Sequence, residues 1–409
     1  MTIATPRSPV RAQDVAATRQ PVDRARLLPP HVFHDAAVFD FEQRAWFERG
    51  WLCVGREEDV PEPGSYMLAG LANESAIVMR DRTGALRAMS NVCRHRGSTI
   101  LDAPSGRAVR LQCPYHAWVY DLDGALLRAP HTDEIVDFDS KDFGLHQLAL
   151  ATWQGFIFVN FDSTSLPLSE YLADLPAHVE HHQPASLRRG RRIEYEVRAN
   201  WKVIAENYSE CYHCPGVHPQ LNRLTPYDRG RNFEAHGPWA GGWMELVDDA
   251  ATMSTDGHTG GRAPLPGLAA DDARRIYYFV LWPNLLLSLH PDYVMTHQVW
   301  PLDAERSRVV CEWLFDPAEM ARPGFDPSDA VDFWDQTNRQ DWAVCERQQQ
   351  GTRSATYTPG RYSMMEDMVH AFDLMVADRY ADDGVVTRFE PRHDKWSERP
   401  RRARPVAGS

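Results

Sequence analysis

Cys93-Arg94-His95 and Cys113-Pro114-Tyr115-His116, with 17 residues between His95 and Cys113, are the runs from which the rest of the chain can be read. Two thiolates suit one ferric iron, and two neutral imidazoles suit a second. A [2Fe–2S] cluster held by that mixed set has a higher potential than one held by four cysteines. Cys93, His95, Cys113 and His116 are therefore expected to bind such a cluster and to pass single electrons. The alternative is a pair of buried thiols beside incidental histidines, and the paired spacing argues against it.

Outward from these runs, residues 52–165 read as a small antiparallel β-domain. Apolar runs at 76–79, 118–120 and 156–159 alternate with turns such as Asp81-Arg82-Thr83-Gly84 and Asp121-Leu122-Asp123-Gly124. Short strands so punctuated suggest a compact β fold. Residues 1–30 are rich in Pro, Arg and Ala, lack a hydrophobic period, and are expected to form a mobile or partner-wrapping arm. Val38, Phe39, Phe41, Trp46 and Phe47 give 35–51 the spacing of an amphipathic helix. Arm and helix, 1–51, are assigned to the larger catalytic domain that follows at 166–398.

That domain is expected to carry helices at 167–183, 199–212, 327–350 and 364–380. Its strands are expected at 193–197, 276–282, 285–289, 294–300 and 309–315. Residues 248–272, rich in Gly, Pro, Asp and Thr, read as a long loop of the functional or disordered kind. Residues 399–409 read as a basic disordered tail. The class is α+β.

Composition narrows the function. A chain of 409 residues can bury two cores. A net charge of −13 argues against a nucleic-acid surface. No run of 18 apolar residues suggests a membrane span, and the first thirty residues lack the apolar centre of a secretory signal. Seven cysteines, an odd number, do not read as a disulfide framework, so a reducing cytoplasm fits.

A second ligand set lies in Glu206-Asn207-Tyr208-Ser209-Glu210-Cys211-Tyr212-His213-Cys214-Pro215-Gly216-Val217-His218. Five is not a helical repeat, but Pro215-Gly216 should break the helix and let His213 and His218 converge. Two histidines and one carboxylate on one face of iron leave positions for dioxygen. Asp341 is the best candidate for the carboxylate, with Asp335 second. Cys211 and Cys214 read as structural thiols, and His178, His181 and His182 as a polar helix face.

With both sets in hand, the chain resembles the catalytic α-subunit of a Rieske non-haem iron oxygenase of the aromatic-ring-hydroxylating superfamily. The Rieske runs, Asn200-Trp201-Lys202, the 206–218 run and Asp341 stand in family order along nearly the whole length. Tyr212-His213-Cys214-Pro215-Gly216-Val217-His218-Pro219 and the helix around 332–350 are most similar to the glycine betaine, stachydrine and carnitine oxygenases. The resemblance implies a small β Rieske domain beside a catalytic antiparallel sheet covered by helices, of helix-grip type. It implies Fe(II) at His213, His218 and Asp341, and O2 as co-substrate. Electrons would come from NAD(P)H through a separate flavin/[2Fe–2S] reductase, since the chain has no nucleotide-binding glycine fingerprint. It further implies a homotrimer, in which Glu210 bridges His213 to the Rieske histidine of the neighbouring subunit. Ring dioxygenases usually carry Asp at the place of Glu210. Some of them set the iron carboxylate a helical turn earlier, where Asn338 stands here.

The implied reaction is hydroxylation and N-demethylation of a quaternary ammonium compound. The alternative within the fold is an aromatic-ring dioxygenase, and outside it a pure electron carrier. Tyr278, Trp282, Trp239 and Trp334 are candidates for an aromatic cage around a cationic head group. Iron analysis separates the classes: three irons per chain are expected of the oxygenase, whereas two would leave only the electron carrier.

Overall fold

The computed structural model describes residues 7–70, 74–162 and 164–381. They divide into two compact units, one spanning 43–168 and the other joining 7–42 to 169–381.

The first unit is built from three small antiparallel sheets. One runs in the order Leu86–Ser90, Ser75–Arg80, Ser65–Gly70, Ser105–Arg107, a second Leu52–Arg56, Phe156–Asn160, Ala149–Trp153, and a third Leu111–Gln112, Val119–Tyr120, Leu126–Arg128. Side chains of Ser75–Arg80 alternate between two cores. Ile77 and Met79 pack with Cys93, Cys113, Trp118 and Tyr120, while Ala76 and Val78 pack with Val60, Met67, Ile157 and Val159. A strand buried on both faces reads as a continuous apolar run, which is what 76–79 presents. The turns at 81–84 and 121–124 both end on a glycine at φ 88, where a β-carbon would be disfavoured.

The second unit centres on a seven-stranded antiparallel sheet. Its order is Arg188–Val197, Arg306–Phe315, Val294–Asp303, Leu285–Leu289, Arg275–Leu281, Trp239–Glu245, Gly230–Asn232. The helices Trp201–Tyr208, Ser328–Thr352 and Asp367–Ala381 lie against it. Among the described residues, no helix is long and apolar enough to cross a membrane.

Several expectations change here. Residues 7–30 are packed, not a loose arm: Val10, Val15, Val22, Ala25 and Leu28 are buried. They are tied down by Arg19 on Asp378 at 2.7 Å and by the His370 ring on the Thr18 carbonyl. The helix expected at 167–183 is broken into Leu168–Leu172, Leu175–Val179 and a 3-10 turn Glu180–His182. His178 and His182 do not form a polar face. His178 lies against Phe233 and Trp239, and His182 is buried against Tyr277, where burial pushes its pKa down to about 4. The 248–272 loop is pinned from within, because buried Arg262 pairs with Asp292 at 2.9 Å and Asp329 at 2.6 Å. The basic tail at 399–409 lies outside the described residues.

The helix Trp201–Tyr208 starts where Asn200 caps it, its side-chain oxygen accepting from the Lys202 N–H at 3.0 Å. Lys202 and Glu42 are both fully buried and paired at 2.5 Å. Glu42 also accepts from the Trp201 indole at 2.7 Å and from the Tyr380 hydroxyl. Burial lowers the Lys202 pKa, and Glu42 opposes that fall. The pair therefore stitches Ala36–Glu42 to the start of the helix that carries the site. Lys202→Met leaves a buried carboxylate without its counter-charge and is expected to destabilise the unit by about 3–5 kcal/mol in denaturant unfolding. Adding Glu42→Gln should recover most of the loss, and equal losses in both variants would contradict this account.

Candidate metal centres and the cavity beside them

In the 43–168 unit the two ligand runs form matching loops. The Cys93 N–H donates to the Ser98 carbonyl at 2.9 Å, and the Cys113 N–H donates to the Trp118 carbonyl at 2.8 Å. Both cysteines are buried, whereas His95 is exposed and His116 half-buried. The imidazoles meet edge to face with ring centres 4.6 Å apart, and His95 stacks on Trp118 at 5.0 Å. The Tyr120 hydroxyl sits 3.2 Å from the Cys93 sulfur and accepts from the Arg94 N–H at 3.0 Å. His116 Nδ1 is buried and has no hydrogen-bond partner among the described residues. A buried imidazole nitrogen without a partner, on a loop that also carries a buried thiol, fits the donor set of a mixed [2Fe–2S] cluster.

In the second unit the helix Trp201–Tyr208 ends four residues earlier than expected, and residues 209–213 leave it as a loop. The short helices Cys214–Val217 and Pro219–Leu224 flank His218. This brings His213 Nε2 to 3.1 Å from His218 Nε2. Asp341, delivered by the long helix Ser328–Thr352, sits 2.8 Å from His218 Nε2 and 3.2 Å from His213 Nε2. The other ring nitrogens are taken: His213 Nδ1 donates to Glu210 at 2.5 Å and His218 Nδ1 to Gln340 at 2.8 Å. With its proton on Nδ1, each neutral imidazole turns the Nε2 lone pair toward the other ring and toward a carboxylate, an arrangement that a positive charge stabilises. Three donors about 2.1 Å from one cation, at right angles to one another, would lie about 3.0 Å apart. The observed separations fit that geometry.

A proton can supply that positive charge. Burial lowers the His213 pKa, but hydrogen bonds to Asp341 and Glu210 outweigh it and push the imidazole up to about 10. Burial raises the Asp341 carboxyl, but His213 and His218 hold it below the usual range. Glu210 also accepts from the backbone N–H groups of Tyr212 and His213, so it is fixed by its own loop.

Asp335 does not join the cluster. It accepts from the Tyr195 hydroxyl at 2.7 Å and pairs with Arg339 at 2.9 Å. Asn338 faces His297 at 3.1 Å. Cys211 and Cys214 are not free thiols but a disulfide, with Cα atoms 4.9 Å apart, within the ordinary range for a bridge. It clamps the loop that carries His213.

A cavity of about 110 Å³ opens beside the three donors. Tyr278 and Trp334 line it, as do Tyr208, Tyr227, Met244, Met365 and Met368, which composition alone did not single out. Trp239 and Trp282 do not. Strand alternation explains Trp239: Gly242 pairs with Tyr278, which puts Met244 on the cavity side and Trp239 on the other, against Phe279 and Asp174. Trp282 is buried against Trp201, with the Arg379 guanidinium 4.1 Å above its ring.

Comparison with known proteins follows this division. Residues 50–147 match the model of the Rieske [2Fe–2S] domain, and 184–382 match that of the ring hydroxylating alpha subunit catalytic domain. The glycine betaine monooxygenase oxygenase subunit of Chromohalobacter salexigens is 32% identical over 369 residues, covering 82% of this chain and 81% of the relative. The chain belongs to the Rieske-type ring-hydroxylating oxygenase α-subunits. The carnitine monooxygenase oxygenase subunit of Acinetobacter baumannii is 28% identical over 83% of this chain and 88% of its own length. The crystal structure of the quaternary ammonium Rieske monooxygenase CntA with its substrate L-carnitine superposes with a TM-score of 0.74. That match has 25% identity and covers 92% of this chain and 99% of the other. As a member of this family the chain is an oxidoreductase, the oxygenase subunit of a system that uses a [2Fe–2S] cluster and a mononuclear iron and works with a reductase.

The disulfide has a direct readout. Alkylation of the unfolded chain without reductant should modify the five cysteines Cys53, Cys93, Cys113, Cys311 and Cys345. After reduction all seven should react, and seven from the outset would remove the bond from the account.

Proposed function

We propose that this subunit oxidises a small quaternary ammonium compound such as glycine betaine at an N-methyl group. The observation that supports this most is the cavity, whose walls include His213, His218 and Asp341 and combine Tyr208, Tyr227, Tyr278, Trp334 and three methionines with polar residues such as Glu210, Arg231 and Thr337. A quaternary ammonium has no N–H to donate, and ring faces bind it with about 2 kcal/mol or more once water is excluded. The relatives described above are named for glycine betaine and carnitine, both of this chemical class.

In this reading His213, His218 and Asp341 hold the mononuclear iron, and Cys93, His95, Cys113 and His116 hold the cluster. When bound, the cluster supplies single electrons and the iron supplies dioxygen activation. The chain's own part is positioning. The aromatic walls hold one methyl C–H toward the three donors and keep water from it. Glu210 and Gln340 hold the two imidazoles in place through their Nδ1 protons. Substrate, O2, NADH and a proton give the demethylated amine in its protonated form, formaldehyde, water and NAD+. The new C–O bond forms at the methyl carbon, and the carbinolamine then releases formaldehyde as the C–N bond breaks and nitrogen keeps the electron pair.

Electrons would come from a flavin/[2Fe–2S] reductase using NAD(P)H. Three copies would form a ring, with Glu210 linking His213 to His116 of the partner subunit. The outward-facing imidazoles of the cluster site and the loop-fixed carboxylate of Glu210 support that route.

With reductase and NADH, trimethylammonium compounds should yield formaldehyde in step with NADH consumed. Tyr278→Leu should raise KM roughly 30-fold, the equivalent of about 2 kcal/mol, with the cluster's spectrum unchanged. A dihydrodiol from arenes, with no formaldehyde from any quaternary amine, would overturn the proposal.

A further inference from the structure

His218 is gripped on both ring nitrogens by consecutive residues of one helix. Nε2 lies 2.8 Å from Asp341, and Nδ1 lies 2.8 Å from the side-chain oxygen of Gln340. The ring is 1% exposed, so no bulk water stands in for either partner. Gln220, two residues beyond His218, donates its amide N–H to the same Gln340 oxygen at 2.7 Å. That second donor keeps the oxygen of Gln340, and not its NH2, turned toward the imidazole.

A neutral imidazole carries one N–H, and its position is set by the partner of the other nitrogen. An oxygen facing Nδ1 places the proton there and leaves Nε2 with a free lone pair. In the opposite tautomer Nδ1 would turn a lone pair on the Gln340 oxygen, and Nε2 would spend its N–H on Asp341. No ligand atom would then remain. His213 differs from His218 in this respect. Its Nδ1 partner is the carboxylate of Glu210, so one imidazole is backed by a charge and the other by a neutral amide.

We propose that Gln340 is the positioning residue of the second histidine, holding His218 in the tautomer that can bind metal without adding a further negative charge beside Asp341 and Glu210. The inference rests on His213, His218 and Asp341 being the iron site, and its test is arranged to fail separately from that reading.

The experiment measures Fe(II) binding to cluster-loaded protein by equilibrium dialysis, with the Rieske absorbance and the thermal midpoint as checks on folding. Gln340→Leu removes the acceptor and should weaken Fe(II) binding by about 10–100-fold while leaving both checks unchanged. Gln340→Glu keeps an oxygen at the same place and should bind Fe(II) within a few-fold of the parent. Gln340→Met serves the same purpose as the leucine variant should that one fail to accumulate. Parent affinity in the apolar variants, or equal weakening in the apolar and glutamate variants, overturns the role of Gln340. Asp341→Ala is the separate arm: if it too binds Fe(II) like the parent, the assignment of the iron site itself is wrong.

Discussion

Three metal-ligating atoms, two imidazole nitrogens and a carboxylate oxygen, are held at hydrogen-bond distance from one another, and much of the second unit is arranged to keep them there. His213 Nε2, His218 Nε2 and an Asp341 oxygen converge because each imidazole has already committed its proton, one to Glu210 and one to Gln340. Such a cluster repels itself unless a cation joins it, so the surrounding structure must resist its spreading. The disulfide Cys211–Cys214 restrains one histidine, buried packing restrains the other, and the long helix fixes the carboxylate. The helix Trp201–Tyr208, anchored by the Lys202–Glu42 pair, sets where the histidine loop begins.

The 43–168 unit has the opposite polarity problem. Its thiols are buried in a core of Ile77, Met79, Trp118 and Tyr120, while its imidazoles face outward. A cluster held this way is insulated on the sulfur side and open on the nitrogen side. A cluster bound there would pass electrons most readily on the histidine side. One chain therefore holds a one-electron store and a dioxygen site, and the family to which it belongs couples the two.

How much of this was legible in the sequence varies with the kind of constraint. Ligands close together in the chain, such as Cys93/His95 and His213/His218, could be read because their spacing is itself the signal. The late carboxylate was harder. Asp335, Asn338 and Asp341 stand three residues apart, so they lie near one face of the same helix, and spacing leaves them nearly equivalent. Only the packing of that helix, which gives Asp335 to Tyr195 and Arg339 and Asn338 to His297, separates them. Of the cage candidates Tyr278 and Trp334 line the cavity, whereas Trp239 does not for a related reason: Trp239 and Tyr278 sit on paired strands, and strand register sends them to opposite faces. Anchors such as buried Arg262 and half-buried Arg19 were invisible, because a loop or arm of ordinary polar composition gives no hint that its arginines find buried or distant acids.

The central claim is that the convergent His213, His218 and Asp341 are where dioxygen chemistry occurs, at a centre separate from the cluster site. Its most direct test is His213→Ala, assayed for iron content, cluster absorbance and formaldehyde release from a trimethylammonium substrate. The account predicts that one iron per chain is lost, the cluster spectrum is retained and product formation is abolished. Continued turnover in that variant, with its cluster intact, would contradict it.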